Sequence, residues 1–529
     1  MANLRSNLTS DHNIKQLDTD HKVRQLNTDR NVKRLDTERI LAEKAAEREA
    51  LKESRRKERA EKLKERTYVE ELDRGVYDIK NPNTYEIMLE KGLNEEIVRE
   101  ISSIKNEPDW MLEKRLAALK IYREMKNPNW GPDLSELNMD EIATYIRPKA
   151  QMESNWQEVP DEIRRTFELL GIPEAELDYL SGVGAQYDSE VVYHNVKDYL
   201  ALQGVIYTDF DSAVVEYPEI IQEYFGTCLK PNLHRYSALH YAVWSGGSYV
   251  YVPEGVHVDI PLQSYFRMNA PGAGQFEHTL IIVEKGGSLH FIEGCSAPRY
   301  NTINLHAGGV ELFVKEGAKL RYSTIENWSR NMYNLNSKRA IVEKDGVIEW
   351  ISGSFGSRVS MLYPASILIG EGARSEFTGI TFAGAGQTLD TGAQVVHKAP
   401  HTYSTVETKS ISKGGGKAIY RSLVQVDEGA YGCKSNTDCQ SLMLDAQSRG
   451  DTIPTIILKN DDVDFGHEAK IGRIDDQAIF YLMSRGLSEE EAKAMIVRGF
   501  AEPVAKELPL EYAVEMNELI NLELKGAIG

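Results

Sequence analysis

Apolar and polar positions change their spacing several times along the chain, and each change marks a different kind of structure. Between residues 8 and 43 leucines recur every nine residues (Leu8, Leu17, Leu26, Leu35), with Ile14, Val23, Val32 and Leu41 six places after each. Two apolar positions in nine make too thin a stripe for a self-standing core. From Ile40 to Arg66 the composition turns to Ala, Glu, Lys and Arg, which predicts a long exposed helix laced with charge pairs. Residues 1–66 therefore read as a charged extension, either a solvated tether or a docking helix for a partner. In GLNEEIVREISSIKN and WMLEKRLAALKIYREM the apolar spacing is three and four, so a helical domain is expected over 67–155. Asn-Pro pairs at Asn81-Pro82 and Asn127-Pro128 punctuate it. A connecting α/β segment is expected over 156–235.

From about Tyr236 the period becomes that of strands. Short runs of Val, Ile, Tyr and Phe alternate with a recurring turn: VPEGV, VEKGG, VKEGA, VEKDG, IGEGA and VDEGA. Its glycines fall at Gly255, Gly286, Gly317, Gly346, Gly372 and Gly429, with gaps of 31, 31, 29, 26 and 57, the last about two periods. Repeats of this length signal stacked units that bury a continuous core. With no helical pattern between the runs, the expected fold is mainly β, a parallel β-helix solenoid over 236–455 with helical domains at both ends. After Ile474 the pattern is helical again, within a C-terminal domain set at 456–529. Ser488 with Glu491 forms a capping box, and Pro503 and Pro509 are expected to break the remaining helices.

Composition narrows the function classes. The chain has 529 residues, 41% hydrophobic and 27% charged, as in soluble globular proteins. A net charge of −19 argues against nucleic acid or an anionic membrane as the main partner. No apolar run approaches the ~18 residues of a membrane span, and MANLRSNLTSDHN lacks the apolar stretch of a signal peptide. A cytoplasmic protein is expected. Four cysteines, at 228, 295, 433 and 439, do not make a disulfide framework for this length, so reduced thiols are the economical reading.

Each of those thiols asks for an explanation. Cys439 lies in NTDCQSLML and is followed by His467-Glu468 in FGHEAKIG. A thiolate with a carboxylate and an imidazole would suit iron or an iron–sulfur cluster, whereas a buried thiol alone behaves as a small hydrophobe. Spacing leaves both open. Cys295, in FIEGCSAPRY, is either an inert interior residue or a sulfur-relaying thiol, which would need access and a depressed pKa. Arg267, Arg299 and Lys344 could supply the latter if stacking brings them close. Cys228 and Cys433 read as structural. Asp464-Phe465-Gly466 has no accompanying kinase motifs, His467-Glu468 lacks the second His of a zinc protease, and Gly414-Gly415-Gly416-Lys417 is not a phosphate loop.

Taken together, FIEGCSAPRYNTINLHAGGVEL, YSTIENWSRNMYNLNSKRA, NTDCQSLML, GHEAKIGRIDDQAIFYLMSRGLSEEEA and ELPLEYAVEMNELI resemble the SufB family, scaffold subunits of the SUF iron–sulfur cluster assembly machinery. The resemblance runs from about Lys91 to Gly529 and does not cover residues 1–66. It implies a right-handed β-helix with helical ends and a non-enzymatic scaffold. The implied partners are a SufC-type ATPase at the C-terminal helices, a SufD-type paralogue or a second copy, a cysteine desulfurase system as sulfur donor, and apo iron–sulfur proteins. It implies a transient iron–sulfur cluster and admits a reduced flavin. By the same resemblance Cys439 is the cluster-assembly cysteine, Glu468 its carboxylate ligand with His467 beside it, and Cys295 the sulfur acceptor. Arg267, Asn269, Trp328 and Lys344 match residues of the sulfur path. Glu326 departs from the family, where Gln is frequent; a carboxylate there would disfavour sulfur anions unless Lys344 or Arg267 offsets it. The alternative is a SufD-like structural companion without its own cluster. A β-helix polysaccharide enzyme would need clustered acids on an exposed face, and the sequence offers no such set.

Overall fold

The computed structural model describes residues 77–82, 85–508 and 510–525; the nine-residue repeat and the charged helix expected within residues 1–66 lie outside the described residues. Nine parallel strands stack into one sheet: Gly182–Tyr187, His257–Arg267, Ser288–Ser296, Lys319–Asn327, Val347–Phe355, Arg374–Ala383, Tyr403–Ser412, Cys433–Met443 and Val463–Arg473. A second sheet receives a bent pair of shorter strands from most coils, beginning with Gly274–Gln275 and His278–Val283. Its last members, Lys417–Val426 and Arg449–Leu458, are single unbroken strands. The result is the expected mainly β solenoid flanked by helices. It extends past the boundary placed at 455, because Arg449–Leu458 and Val463–Arg473 still pair in parallel with the preceding coil.

One corner of every coil is built the same way. Gly255, Gly286, Gly317, Asp345, Gly372, His401 and Gly432 all have φ between 54° and 73°. Each donates its N–H, at 2.8–3.2 Å, to the carbonyl that precedes its counterpart one coil on. The turn glycines expected at 346 and 429 are thus one residue late and three residues early: Asp345 and Gly432 hold the left-handed position. The 57-residue gap contains an ordinary turn with His401 at that position. Asp and His are among the few non-glycine residues that accept this conformation, so a search for glycine alone skips a coil.

Three apolar layers follow from strand alternation. Val258, Leu289, Phe291, Tyr322, Trp350, Phe377 and Val406 fill the solenoid interior with Ile281, Leu312 and Val342 of the second sheet. Ile292, Ile325, Ile351 and Ile380 point outward from the first sheet and pack under Val497, Val504, Met516 and Leu519 of the C-terminal helices. Leu280, Ile282 and Phe313 point outward from the second sheet against Ile101, Leu119 and Leu239 of the N-terminal helices. Pro503 does not break the helix Glu489–Glu507. One lost main-chain bond costs about 3 kcal/mol, and its neighbours Val497, Ala501, Val504 and Ala505 are all buried in that layer.

The two ends of the solenoid differ. At the first coil Glu190–Val196 and Ile206–Asp209 run antiparallel to the stack and close both sheets. At the last coil Val463–Arg473 and Arg449–Leu458 are edge strands. Ile453, Ile456, Ile457, Leu458 and Ile471 are exposed there. Among the described residues no helix is long and apolar enough to cross a membrane.

A Cβ at Gly317 or at Gly429 would meet nothing within 4 Å, so the pair isolates the backbone contribution. Gly317→Ala is expected to lose about 1–2 kcal/mol, whereas Gly429→Ala should be neutral or slightly stabilising. Urea unfolding of the two variants checks this; equal midpoints would contradict the corner assignment.

Candidate functional site

Register decides which side chains share the solenoid interior. Phe266, Cys295, Glu326, Ser354, Thr381, Ser410 and Ser441 occupy one position in consecutive coils. Ser264, Glu293, Thr324, Ser352, Gly379, Thr408 and Cys439 occupy the position two residues earlier. Cys295 and Cys439 therefore face the same interior, five coils apart, or roughly 24 Å along the axis at ~4.8 Å per strand. Hydroxyl side chains dominate the positions between them. Ser352, Thr381, Thr391, Thr408, Ser410 and Tyr420 line a void of about 20 Å³ there, room for about one water molecule.

Around Cys295 the interior is charged. Cys295 is 1% exposed, and its Sγ donates to Glu293 Oε1 at 3.7 Å. Lys338 Nζ lies 2.6 Å from the same oxygen and 2.9 Å from Thr324 Oγ1. The Tyr322 hydroxyl donates to the other Glu293 oxygen. His306 pairs with Glu277 through Nε2, and its Nδ1 is 2.8 Å from Asn334 Oδ1. Glu326 accepts from Asn334 Nδ2 at 2.8 Å and from Ser354 Oγ at 3.4 Å, while its second oxygen has no partner among the described residues. Trp328 closes the group, its ring 4.6 Å from that of His306.

These surroundings set the charge states. Burial, then Glu293, Glu277 and Glu326, pushes the Cys295 thiol well above its ordinary value, with Lys338 acting against them. It rests as a protonated thiol. Burial alone would raise Glu293, but the Lys338 ammonium and the Tyr322 hydroxyl hold it below the usual carboxylate range. Burial would lower His306, yet Glu277 raises it. Glu326 is raised by burial, which outweighs Lys338 and His306.

The residues expected along a sulfur path divide. Lys344 does not enter the interior: it is exposed on the corner turn, where its carbonyl accepts from Gly317. Lys338, six residues earlier, is the lysine inside, because strand alternation from Val342 through Ala340 turns it inward. Arg267 pairs in register with Ser296, so it lies on the sheet face opposite Cys295. Its buried guanidinium donates to Ser296 Oγ at 3.0 Å and to the carbonyls of Tyr77 and Ile79 at 3.0 and 2.8 Å. Asn269 is held by the same N-terminal segment, its Oδ1 accepting from Asn81 N at 3.1 Å. Arg299 sits 3.7 Å from Asp78. Alternation makes Glu293 legible two places before Cys295; Lys338, His306 and Glu277 come from other strands and the loops beside them, and only the coil register brings them in.

At the other thiol, Cys439 is 2% exposed, and burial pushes its pKa up to about 11 against hydrogen bonds from Thr408 and Tyr420. Its partner on the last strand is Ala469, so His467 shares its inward face and Glu468 does not. Glu468 points out, exposed and 3.0 Å from Lys470. The described residues hold no group of three or more His, Cys, Asp or Glu placed to bind a metal within this one chain. Cys433 donates to the Ala430 carbonyl at 3.2 Å. Cys228 lies buried near Glu311, whose carboxylate accepts its main-chain N–H at 2.8 Å.

A parallel solenoid carrying two interior thiols on one face, beside a buried Lys–Glu pair, is the class this geometry defines. Comparison with known proteins gives the family. The region described as "SUF system FeS cluster assembly, SufBD core domain" matches residues 266–500, and "SufBD protein N-terminal region" matches residues 105–264. Iron–sulfur cluster assembly SufBD family proteins of Staphylococcus aureus strains MRSA252 and USA300 are 53% identical over 440 residues, which is 83% of this chain and 95% of theirs. One from Staphylococcus haemolyticus is 52% identical over the same length. The chain belongs to the SufB/SufD family of the SUF system for iron–sulfur cluster assembly. Membership implies a SufC-type ATPase and other SUF components as partners.

Removing the Lys338 charge leaves Glu293 buried and unpaired. Lys338→Met is expected to destabilise the fold by roughly 3–5 kcal/mol at neutral pH. The lowered Glu293 pKa stabilises the native state above the unfolded carboxylate range and loses that contribution as pH falls through it. The variant's deficit should therefore shrink in acid; urea unfolding at the two pH values checks it, and a pH-independent deficit would point to packing alone.

Proposed function

We propose that this chain is the sulfur-accepting scaffold of a SUF system, on which a nascent iron–sulfur cluster is built as cargo. The observation that carries the reading is the placement of Cys295 and Cys439 on one interior face, joined by hydroxyl-bearing positions and closed to bulk water. A buried persulfide on Cys295 would be protected from water and stray thiols. Cys439 lies one coil from the open end, where His467 shares its face and Glu468 stands on the outside. One thiol with these neighbours is an incomplete ligand set, which suits a scaffold that must release its product. The uncapped edge strands and their exposed isoleucines support a second solenoid of the same family, either a SufD-type paralogue or another copy, as the supplier of further ligands. The C-terminal helices, with Phe480 73% and Tyr481 56% exposed, support docking of the SufC-type ATPase, so ATP hydrolysis belongs to the partner and not to this chain. Four free cysteines fit a reducing, cytoplasmic setting. Desulfurase-derived sulfur enters at Cys295, and apo iron–sulfur proteins receive the product. A SufD-like companion role would use the same fold but would leave the interior thiols without a task.

Anaerobic reconstitution of the full chain with ferrous iron and sulfide should give charge-transfer absorption that Cys439→Ala largely abolishes and Cys433→Ala retains. After incubation with a cysteine desulfurase and cysteine, mass spectrometry should find added sulfur on Cys295. A Cys439→Ala spectrum matching the parent, with no sulfur on Cys295, would favour the companion role.

A further inference from the structure

Among the described residues, the interior around Cys295 sets three carboxyl groups, Glu277, Glu293 and Glu326, against two basic groups, His306 and Lys338. His306 is taken by Glu277, and Lys338 by Glu293. Glu326 is left over. It is fully buried and stands one coil from Cys295 in the same register position, on the side facing Cys439. One carboxyl oxygen accepts from Asn334 and Ser354; the other has no partner among the described residues. A buried carboxyl with no ion pair of its own is pushed toward its neutral form, and burial raises Glu326 above its ordinary value even against Lys338 and His306. The thiol beside it is also protonated. Sulfur exchange at Cys295 must move a proton, and bulk water does not reach the site.

We infer that Glu326 is the acid–base group that moves this proton during sulfur transfer at Cys295. The inference rests on the reading of Cys295 as a sulfur acceptor. With a persulfide donor the exchange is Cys295–SH + R–S–SH → Cys295–S–SH + R–SH. Cys295 Sγ bonds to the terminal sulfur and the donor S–S bond breaks, leaving its electron pair on the donor's inner sulfur. The Glu326 carboxyl gives its proton to that departing sulfur, and the carboxylate so formed takes the proton from Sγ. The carboxyl ends as it began, and no oxidant or reductant is consumed. Release of sulfur toward the next acceptor is the same exchange in reverse. Glu293 is unsuited to the task, because Lys338 and Tyr322 hold it as a carboxylate; the remaining groups facing Glu326 are Glu277, His306 and Lys338, each already paired.

Glu326→Gln keeps shape and can still accept from Asn334 and Ser354, but it cannot titrate. Glu326→Asp keeps the acid. Full-length protein is treated anaerobically with glutathione persulfide, and added sulfur on Cys295 is followed by mass spectrometry across pH, with thermal unfolding as the control for folding. The parent rate is expected to fall as pH rises through the Glu326 ionisation. Glu326→Gln should be slower by on the order of a hundredfold and lack that fall, while Glu326→Asp retains it. Parent-like rate and pH profile in Glu326→Gln would overturn the inference and leave Cys295 as acceptor. If the parent protein gains sulfur at its other cysteines but none at Cys295, the acceptor reading itself fails.

Discussion

The coil-to-coil main-chain ladder is the constraint on which everything else in this molecule depends. Parallel strands bond only to their neighbours, so each coil is correct only if the one before it is in register. The corner N–H to carbonyl bonds repeat that condition at a point where the chain reverses, and the left-handed residue there keeps each coil at 27 to 31 residues. A slip of one residue would turn Cys295, Glu293 and Lys338 to the outer face and Arg267 and Ile292 to the inner one. Register is thus what makes an interior of chosen chemistry, and the same register carries Cys439 onto the face of Cys295 five coils away.

That interior is where electrostatics differs most from water. Burial raises both thiols, and the carboxylates near Cys295 raise it further. The common route to a reactive cysteine, a depressed pKa beside a cation, is not the one taken here: the Lys338 ammonium beside it is paired with Glu293. A protonated thiol in a closed chamber is stable to adventitious oxidation, but it has to exchange its proton locally when it reacts. The chamber's spare carboxyl fits that requirement.

The asymmetry of the two ends gives the molecule a direction. Antiparallel strands and helices close the first coil, near which Cys295 lies. The last coil is left with edge strands and exposed isoleucines, and Cys439 lies just inside it. An uncapped solenoid edge is a pairing surface, and here it lies one coil from Cys439.

The sequence by itself determined the class of fold, the helical ends and most of the turns, because a stacked repeat writes its period into local composition. It located Cys295, Cys439 and Glu326 as residues needing an account, and Glu293 was within reach through alternation. It misplaced two turns and skipped the one at His401, because left-handed backbone is a property of conformation and glycine is only its commonest marker. It assigned Lys344 to the sulfur path by resemblance and gave Lys338 no role, and it favoured Glu468 over His467 as an in-chain neighbour of Cys439. Those choices turn on which face a strand residue occupies, and that is fixed by pairing with a strand about thirty residues away. Local pattern carries periodicity; only tertiary register decides which side chains meet, since contacts across coils leave no trace in neighbouring residues.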